Sequence, residues 1–115
     1  MATREAFEEM TAGAIDSLPE WVRRRMDNVE ITIEDLPPAD QPNLLGLYYG
    51  IPLTQRGDGY TGVMPDRITL YRATIERVAR GDPELLRETI AHTVRHEIAH
   101  FFGISDDRLH ELEAY

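Results

Sequence analysis

The segment from residue 82 to residue 103 constrains the fold most, because it contains the start and end signals of a long helix. It also contains a stripe of apolar side chains that would pack one face of this helix against the core. Asp82 and Pro83 are residue types that begin a helix, as a side-chain cap and as a first-turn proline. Gly103 is the type that ends one. Between these ends, apolar side chains recur at every fourth position: Leu86, Ile90, Val94 and Ile98. This spacing predicts one long helix with a buried face, reaching about residue 102.

The sequence before this helix predicts a small sheet and shorter helices. Alternating β-branched residues predict strands at residues 29–33 and 67–72, and a glycine-containing apolar stretch predicts a third within residues 44–53. Gly46 and Gly50 predict a bulge or a close backbone approach in this third strand. Amphipathic spacing predicts helices over residues 3–17 and 73–80, the latter closed by Gly81. A short helix that follows the first, with Ser17 as its cap, is predicted to reach residue 26. Prolines and polar residues predict loops at residues 36–43 and 54–65, and a last helix begins near Ser105. We therefore expect an α/β (α+β) fold, with a three- to four-stranded sheet packed against helices.

Size and composition favour a single domain covering residues 1–115. The chain has 115 residues, and its lack of cysteine excludes disulfides, thiolate metal sites and a cysteine nucleophile. No apolar run reaches the length of a membrane span. The first nine residues contain three glutamates and no hydrophobic signal core. These features predict a soluble cytoplasmic protein that does not bind membranes.

The charge of the chain argues against binding to nucleic acid. Twenty-one acidic residues against twelve basic ones give a net charge of −9, so the overall field repels phosphate. The one basic cluster, at residues 23–25, is flanked by acidic residues and is typical of a solvated helix face. Every basic residue is arginine, and the absence of lysine excludes Schiff-base chemistry and a P-loop.

A His-Glu-x-x-His segment lies on the predicted long helix and carries the chemistry. His96 and His100 are four residues apart, so both project from one face of the helix and can bind the same Zn²⁺. Glu97 lies beside His96, where its carboxylate can take a proton from an attacking water. A helix with two surface histidines and an ion-pairing glutamate is the alternative interpretation of the same pattern.

A zinc site of this kind needs a third protein ligand and one open position. Gly103 can end the helix and turn the chain back towards the metal, which brings Asp106 within reach as an oxygen ligand. Asp106 could instead cap the last helix, a role that Ser105 or Asp107 could fill equally well. We predict the ligand role, because a cap explains neither the glycine nor the six-residue offset from His100.

Several other side chains near the motif have no assigned role from the sequence. His92 and His110 could join the metal site, although a solvated position is the simpler expectation for both. Arg95 is expected to lie at the surface. The chain also has five tyrosines that could stabilise an oxyanion, and the sequence does not select among them: Tyr48, Tyr49, Tyr60, Tyr71 and Tyr115.

The extended pattern, with Gly103 three residues and Asp106 six residues after His100, resembles the zincin motif HExxHxxGxxD. Residues 45–54, 65–71 and 95–106 match the minimal zincins, small bacterial proteins regarded as zinc metallopeptidases, so the resemblance spans from about residue 44 to the C-terminus. The resemblance implies a zincin-like fold with the motif helix on a small sheet. It also implies one Zn²⁺ held by His96, His100 and Asp106, with Glu97 as general base.

The sequence departs from the larger metzincins after Asp106, because only nine residues follow and no Met-turn is present. We therefore expect a shallow site that binds a peptide or protein substrate weakly or needs a protein partner to cover it. The leading hypothesis is a zinc-dependent metallopeptidase. The alternatives are a non-catalytic zinc-binding domain of a bacterial complex and a protein-interaction domain in which the motif is fortuitous.

Overall fold

A mixed three-stranded sheet with the strand order β1-β3-β2 lies at the centre of the fold. A computed structural model describes residues 2–56 and 65–108 of the chain. Strand β1 (Val29–Glu34) runs parallel to β3 (Asp66–Tyr71), and β2 (Gly46–Tyr49) pairs antiparallel with β3. The sheet confirms the predicted fold class, and β2 is left as an edge strand.

Besides a last helical turn at residues 106–108, the described residues form four α-helices: α1 (Arg4–Asp16), α2 (Glu20–Arg25), α3 (Arg72–Ala79) and α4 (Pro83–Phe101). The long helix begins as predicted, because Asp82 Oδ1 accepts a hydrogen bond of 3.0 Å from the Glu84 N–H and Pro83 occupies the first turn. In this described part of the chain, no helix is both long and apolar enough to cross a membrane.

The core lies between α4 and the sheet, with α1 and α3 packed against the same helix. All four residues of the predicted stripe on α4 are buried, and Ile90 and Val94 have no exposed surface. They meet Ile68 and Leu70 of β3, which are likewise fully buried. Burying each side chain of this size stabilises the fold by about 1.5–3 kcal/mol. The His-Glu-x-x-His motif is therefore carried by a helix that is anchored in the core along its buried face.

Two helix ends differ from the sequence prediction. Ser17 does not cap α2 but ends α1, where its hydroxyl donates a hydrogen bond of 2.8 Å to the Ala14 carbonyl oxygen. Helix α2 begins after Pro19 without a side-chain cap. Helix α3 ends one residue earlier than predicted, because Arg80 itself adopts the left-handed conformation (φ 53°) and Gly81 follows in the same region (φ 79°). Two successive left-handed residues turn the chain directly into α4.

The predicted strand over residues 44–53 is shorter than expected. Regular pairing covers only Gly46–Tyr49, and the chain then turns into a 3₁₀ helix at Leu53–Gln55. The predicted close approach at both glycines is confirmed: a Cβ atom on Gly46 would lie 2.7 Å from Thr93 Cγ2, and one on Gly50 would overlap the Asp66 carboxylate. Residues 57–64 of the predicted loop and residues 109–115 of the predicted last helix lie outside the described residues.

Candidate metal centre and cleft

Helix α4 brings the two histidines of the motif together near its C-terminal end. His96 and His100 lie one turn apart, and their ring centroids are 4.8 Å apart with the ring planes nearly perpendicular. Both side chains are half-buried, so one edge of each ring can reach the solvent-accessible cleft. One ring nitrogen of each histidine and one carboxylate oxygen of Glu97 all lie within 4.8 Å of one another.

The turn after α4 is a Schellman motif, and it redirects the chain towards these histidines. Gly103 has a φ of +90°, its N–H donates to the His100 carbonyl oxygen at 2.9 Å, and the Ile104 N–H donates to the Ala99 carbonyl oxygen at 2.9 Å. A side chain at position 103 would also collide with Thr54. Position 103 thus requires a glycine for two reasons: the backbone has a positive φ there, and Thr54 packs where a side chain would lie.

Asp106 is placed by this turn between the two imidazoles. Its Oδ1 atom lies 3.0 Å from His100 Nε2 and 3.2 Å from His96 Nε2. Two ligands that bind one tetrahedral Zn²⁺ at about 2.0–2.1 Å are themselves about 3.3 Å apart. The distances from Asp106 Oδ1 to the two nitrogens are therefore close to those that a shared zinc ion requires.

The orientation of His100 also suits metal binding. Its Nδ1–H donates a hydrogen bond of 2.8 Å to the Ile104 carbonyl oxygen, which leaves Nε2 as the nitrogen that faces Asp106. A histidine that binds metal usually donates its other ring N–H to a carbonyl or carboxylate in this way. The donor set of this chain fits Zn²⁺ in chemistry as well as in spacing.

The cap of the last helix is supplied by Ser105, which leaves Asp106 available. Residues 106–108 are helical, and the Ser105 hydroxyl oxygen accepts a hydrogen bond of 3.2 Å from the Arg108 N–H. The Asp106 side chain is 81% exposed and contacts the two histidines. Ser105 therefore takes the capping role, and the ligand role of Asp106 stays a prediction.

Glu97 lies on the inner side of the same helix turn and is buried, with 7% of its surface exposed. Its Oε1 atom accepts a hydrogen bond of 2.9 Å from the backbone N–H of Tyr48 on β2. Burial raises the pKa of the Glu97 carboxyl, although His100, His96 and the Tyr48 N–H act in the opposite direction. A carboxyl group with a raised pKa takes up a proton from water more readily than an ordinary glutamate does.

These side chains line a cleft of about 520 Å³ between α4, the edge strand β2 and the turn after α4. Apolar contacts come from Leu44, Leu47, Pro52 and Ile104, with amide groups from Gln41 and Gln55. Besides the two histidines, the described lining contains three residues with ionisable side chains: Glu97, Asp106 and Tyr48. The cleft combines apolar walls with histidine and carboxylic acid side chains of the kind that could hold a metal ion.

The other candidates from the sequence lie further from this centre. His92 is exposed on the preceding turn of α4, with its ring centroid 6.1 Å from that of His96, and Arg95 is also exposed. His110, Tyr60 and Tyr115 lie outside the described residues. Among the remaining tyrosines, Tyr48 is the one that hydrogen-bonds to a motif residue in the described part of the chain, and it does so through its backbone. No pattern in the sequence singles out a backbone donor of this kind.

Comparison with known proteins agrees with this geometry. Residues 26–115 match the family described as zincin-like metallopeptidases. The chain belongs to that family. A solved structure with the same fold is a conserved hypothetical protein from Thermus thermophilus (TTHA0227), with 25% sequence identity and a TM-score of 0.64 over 88% of this chain and 94% of that one. No curated protein matches the chain. The family assignment confirms the resemblance to zincins that the extended motif indicated.

Proposed function

We propose that this zincin-like protein is a zinc-dependent peptidase. In this proposal His96, His100 and Asp106 hold one Zn²⁺, and Glu97 is the general base. The observation that carries the proposal is the position of Asp106 Oδ1, 3.0 and 3.2 Å from the Nε2 atoms of the two histidines, next to a buried glutamate at the wall of a cleft.

Each residue has a distinct task in this reaction. Zn²⁺ held by these ligands would polarise a peptide carbonyl and lower the pKa of a water molecule. Glu97 takes the proton of the attacking water and passes it to the departing amine, in the roles of general base and then general acid. The Tyr48 N–H binds one oxygen of the Glu97 carboxylate, so the second oxygen can carry that proton. The Ile104 carbonyl holds the His100 ring in the orientation that keeps Nε2 towards the metal.

The number of protein ligands would separate catalysis from a structural zinc site. Structural zinc is enclosed by four protein ligands, whereas catalytic zinc keeps one position for water or substrate. In the described part of the chain, His96, His100 and Asp106 lie together, and Glu97 beside them binds the Tyr48 N–H. Three protein ligands and a bound water are what the hydrolase requires, and a fourth protein ligand would favour a non-catalytic zinc-binding domain.

The charge of the whole chain favours neutral or cationic peptides as substrates. A bound Zn²⁺ would offset the two carboxylic acid side chains of the described lining, which contains no arginine, whereas the whole chain carries a net charge of −9. An acidic residue beside the scissile bond would meet repulsion, while apolar side chains could pack on Leu44, Leu47 and Ile104.

The proposal predicts that hydrolysis follows zinc occupancy. Protein stripped with a chelator and then titrated with zinc should cleave a library of neutral and cationic peptides in proportion to bound metal, up to one equivalent. Metal content is measured on protein without an affinity tag, and cleavage by mass spectrometry. Turnover that persists in metal-free protein would contradict the metal role. Full occupancy without any cleavage would favour the non-catalytic zinc domain instead.

A further inference from the structure

A buried polar cluster lies beside the cleft and is not used by the proposed reaction. Asp66, the first residue of β3, has a side chain that is only 4% exposed. It accepts a hydrogen bond of 2.6 Å from the Tyr48 hydroxyl and forms an ion pair with Arg56. Burying a carboxylate is costly unless charge and hydrogen bonds compensate it, and both are present here. We call Asp66, Tyr48 and Arg56 the Asp66 cluster.

The Asp66 cluster joins three parts of the site that are separate in the sequence. Arg56 donates from Nε to the Ile51 carbonyl oxygen at 2.8 Å, and its guanidinium carbon lies 5.5 Å from the centroid of the Phe101 ring. The Tyr48 ring also packs edge-on against Phe101, at 6.0 Å. The cluster therefore ties β2 and the segment after it to the last turn of α4, next to His100.

Tyr48 remains a hydrogen-bond donor in this environment. Burial, followed by the hydrogen bond to Asp66, raises the pKa of the Tyr48 phenol above its ordinary value. The close packing of Gly50 on the Asp66 carboxylate leaves no room for a side chain at that position. The contact between Tyr48 and Asp66 is thus enclosed on several sides.

The backbone of Tyr48 connects this cluster to Glu97. In an antiparallel pair, successive residues alternate between bonding to the partner strand and pointing away from it. The Leu45 carbonyl oxygen accepts from the Tyr71 N–H, so the alternation directs the Tyr48 N–H away from β3. That N–H donates to Glu97 Oε1 instead. The side chain and the backbone of one residue therefore bind Asp66 and Glu97 respectively.

We propose that Asp66 is a positioning residue for Glu97. By holding the Tyr48 hydroxyl and Arg56, it fixes the edge strand so that the Tyr48 N–H keeps the Glu97 carboxylate in one orientation. The effect on turnover rests on the proposed peptidase function, whereas the effect on the Tyr48 N–H does not. In the described part of the chain, the Asp66 side chain binds Tyr48 and Arg56, and no hydrogen bond joins it to Glu97 or to the proposed metal ligands. Its effect on Glu97 is therefore indirect.

The test compares Tyr48→Phe with Tyr49→Phe in zinc-loaded protein. Tyr48→Phe removes the hydroxyl that binds Asp66 but keeps the ring on Phe101, whereas Tyr49 is 76% exposed on the same strand and serves as the control. Amide hydrogen exchange of residue 48 is measured by NMR, with the buried Ile90 amide of α4 as reference. We expect exchange at residue 48 to rise about tenfold in Tyr48→Phe and in Asp66→Asn, with Ile90 unchanged.

Kinetics provide the second readout. In Tyr48→Phe we expect kcat to fall about five- to tenfold, with KM and zinc affinity each within about twofold of wild type. Unchanged exchange at residue 48 in both variants would overturn the proposal. An equal rise at residue 48 and Ile90 would also overturn it, since that pattern reports general destabilisation. A wild-type protein without hydrolysis would contradict the peptidase function, and the exchange data alone would then decide whether Asp66 positions Glu97.

Discussion

Replacing Glu97 by Gln is expected to lower peptide hydrolysis by roughly 10²–10⁴-fold, the usual contribution of a positioned general base, while zinc content stays near one equivalent. Glutamine keeps the shape of the side chain, and its carbonyl oxygen can still accept the Tyr48 N–H. It cannot take a proton from water. Glu97 transfers a proton in the proposed reaction and does not bind the metal, so hydrolysis should fall while the zinc content stays unchanged.

Glu88→Gln is the matched control for this experiment, because Glu88 lies exposed on the same helix two turns before the motif. It makes the same change of charge without touching the cleft, and we expect activity close to wild type. Kinetics with a cleaved peptide and zinc analysis of the same preparations provide the comparison. Hydrolysis that survives Glu97→Gln undiminished would contradict the mechanism, whatever the metal content.

Replacing His100 by Ala is expected to have the largest effect on the metal. The change removes Nε2, which lies 3.0 Å from Asp106 Oδ1, and it also removes the Nδ1–H that binds the Ile104 carbonyl. One substitution thus deletes a ligand and loosens the turn that carries another. We expect zinc affinity to fall by more than the roughly 10–100-fold typical of residues that only support a ligand, so that the protein is purified without stoichiometric zinc.

Two control variants separate the ligand role from helix effects. His92→Ala makes the same change one turn before His96, at an exposed position, and should leave zinc affinity near wild type. Ser105→Ala removes the cap of the last turn and should cost about 1 kcal/mol of folding free energy while zinc binding persists. Metal analysis and competition with a chromophoric chelator measure the affinities. Full occupancy in His100→Ala would remove His100 from the ligand set.

The helix that carries the motif was predictable because its signals are local. Asp82, Pro83 and Gly103 fall at its ends, and each acts through its own backbone or a side chain within a few residues. The apolar side chains at positions 86, 90, 94 and 98 then determine which face of the helix is buried, and Glu97 lies next to that face. The spacing of His96 and His100 on one face follows from the same helical period.

The parts of the site that the sequence does not reveal depend on contacts between distant segments. Glu97 binds a backbone N–H 49 residues away, and Asp66 meets Tyr48 across 18 residues and Arg56 across ten. No periodicity marks such partners. The glycines at positions 46 and 50 did predict close packing, but not that Thr93 and Asp66 are the neighbours. The Ser17 prediction was wrong because its hydroxyl binds the helix before it instead of the helix after it.

The proposed metal centre is tested most directly by a crystal structure of the zinc-loaded protein with anomalous data at the zinc edge. We expect one zinc ion bound to Nε2 of His96 and Nε2 of His100 at about 2.0–2.1 Å and to an Asp106 oxygen at about 2.0–2.2 Å. A water molecule should occupy the fourth position within reach of the Glu97 carboxylate. A fourth protein ligand in place of that water, or zinc bound away from His96 and His100, would contradict a catalytic zinc site held by these residues.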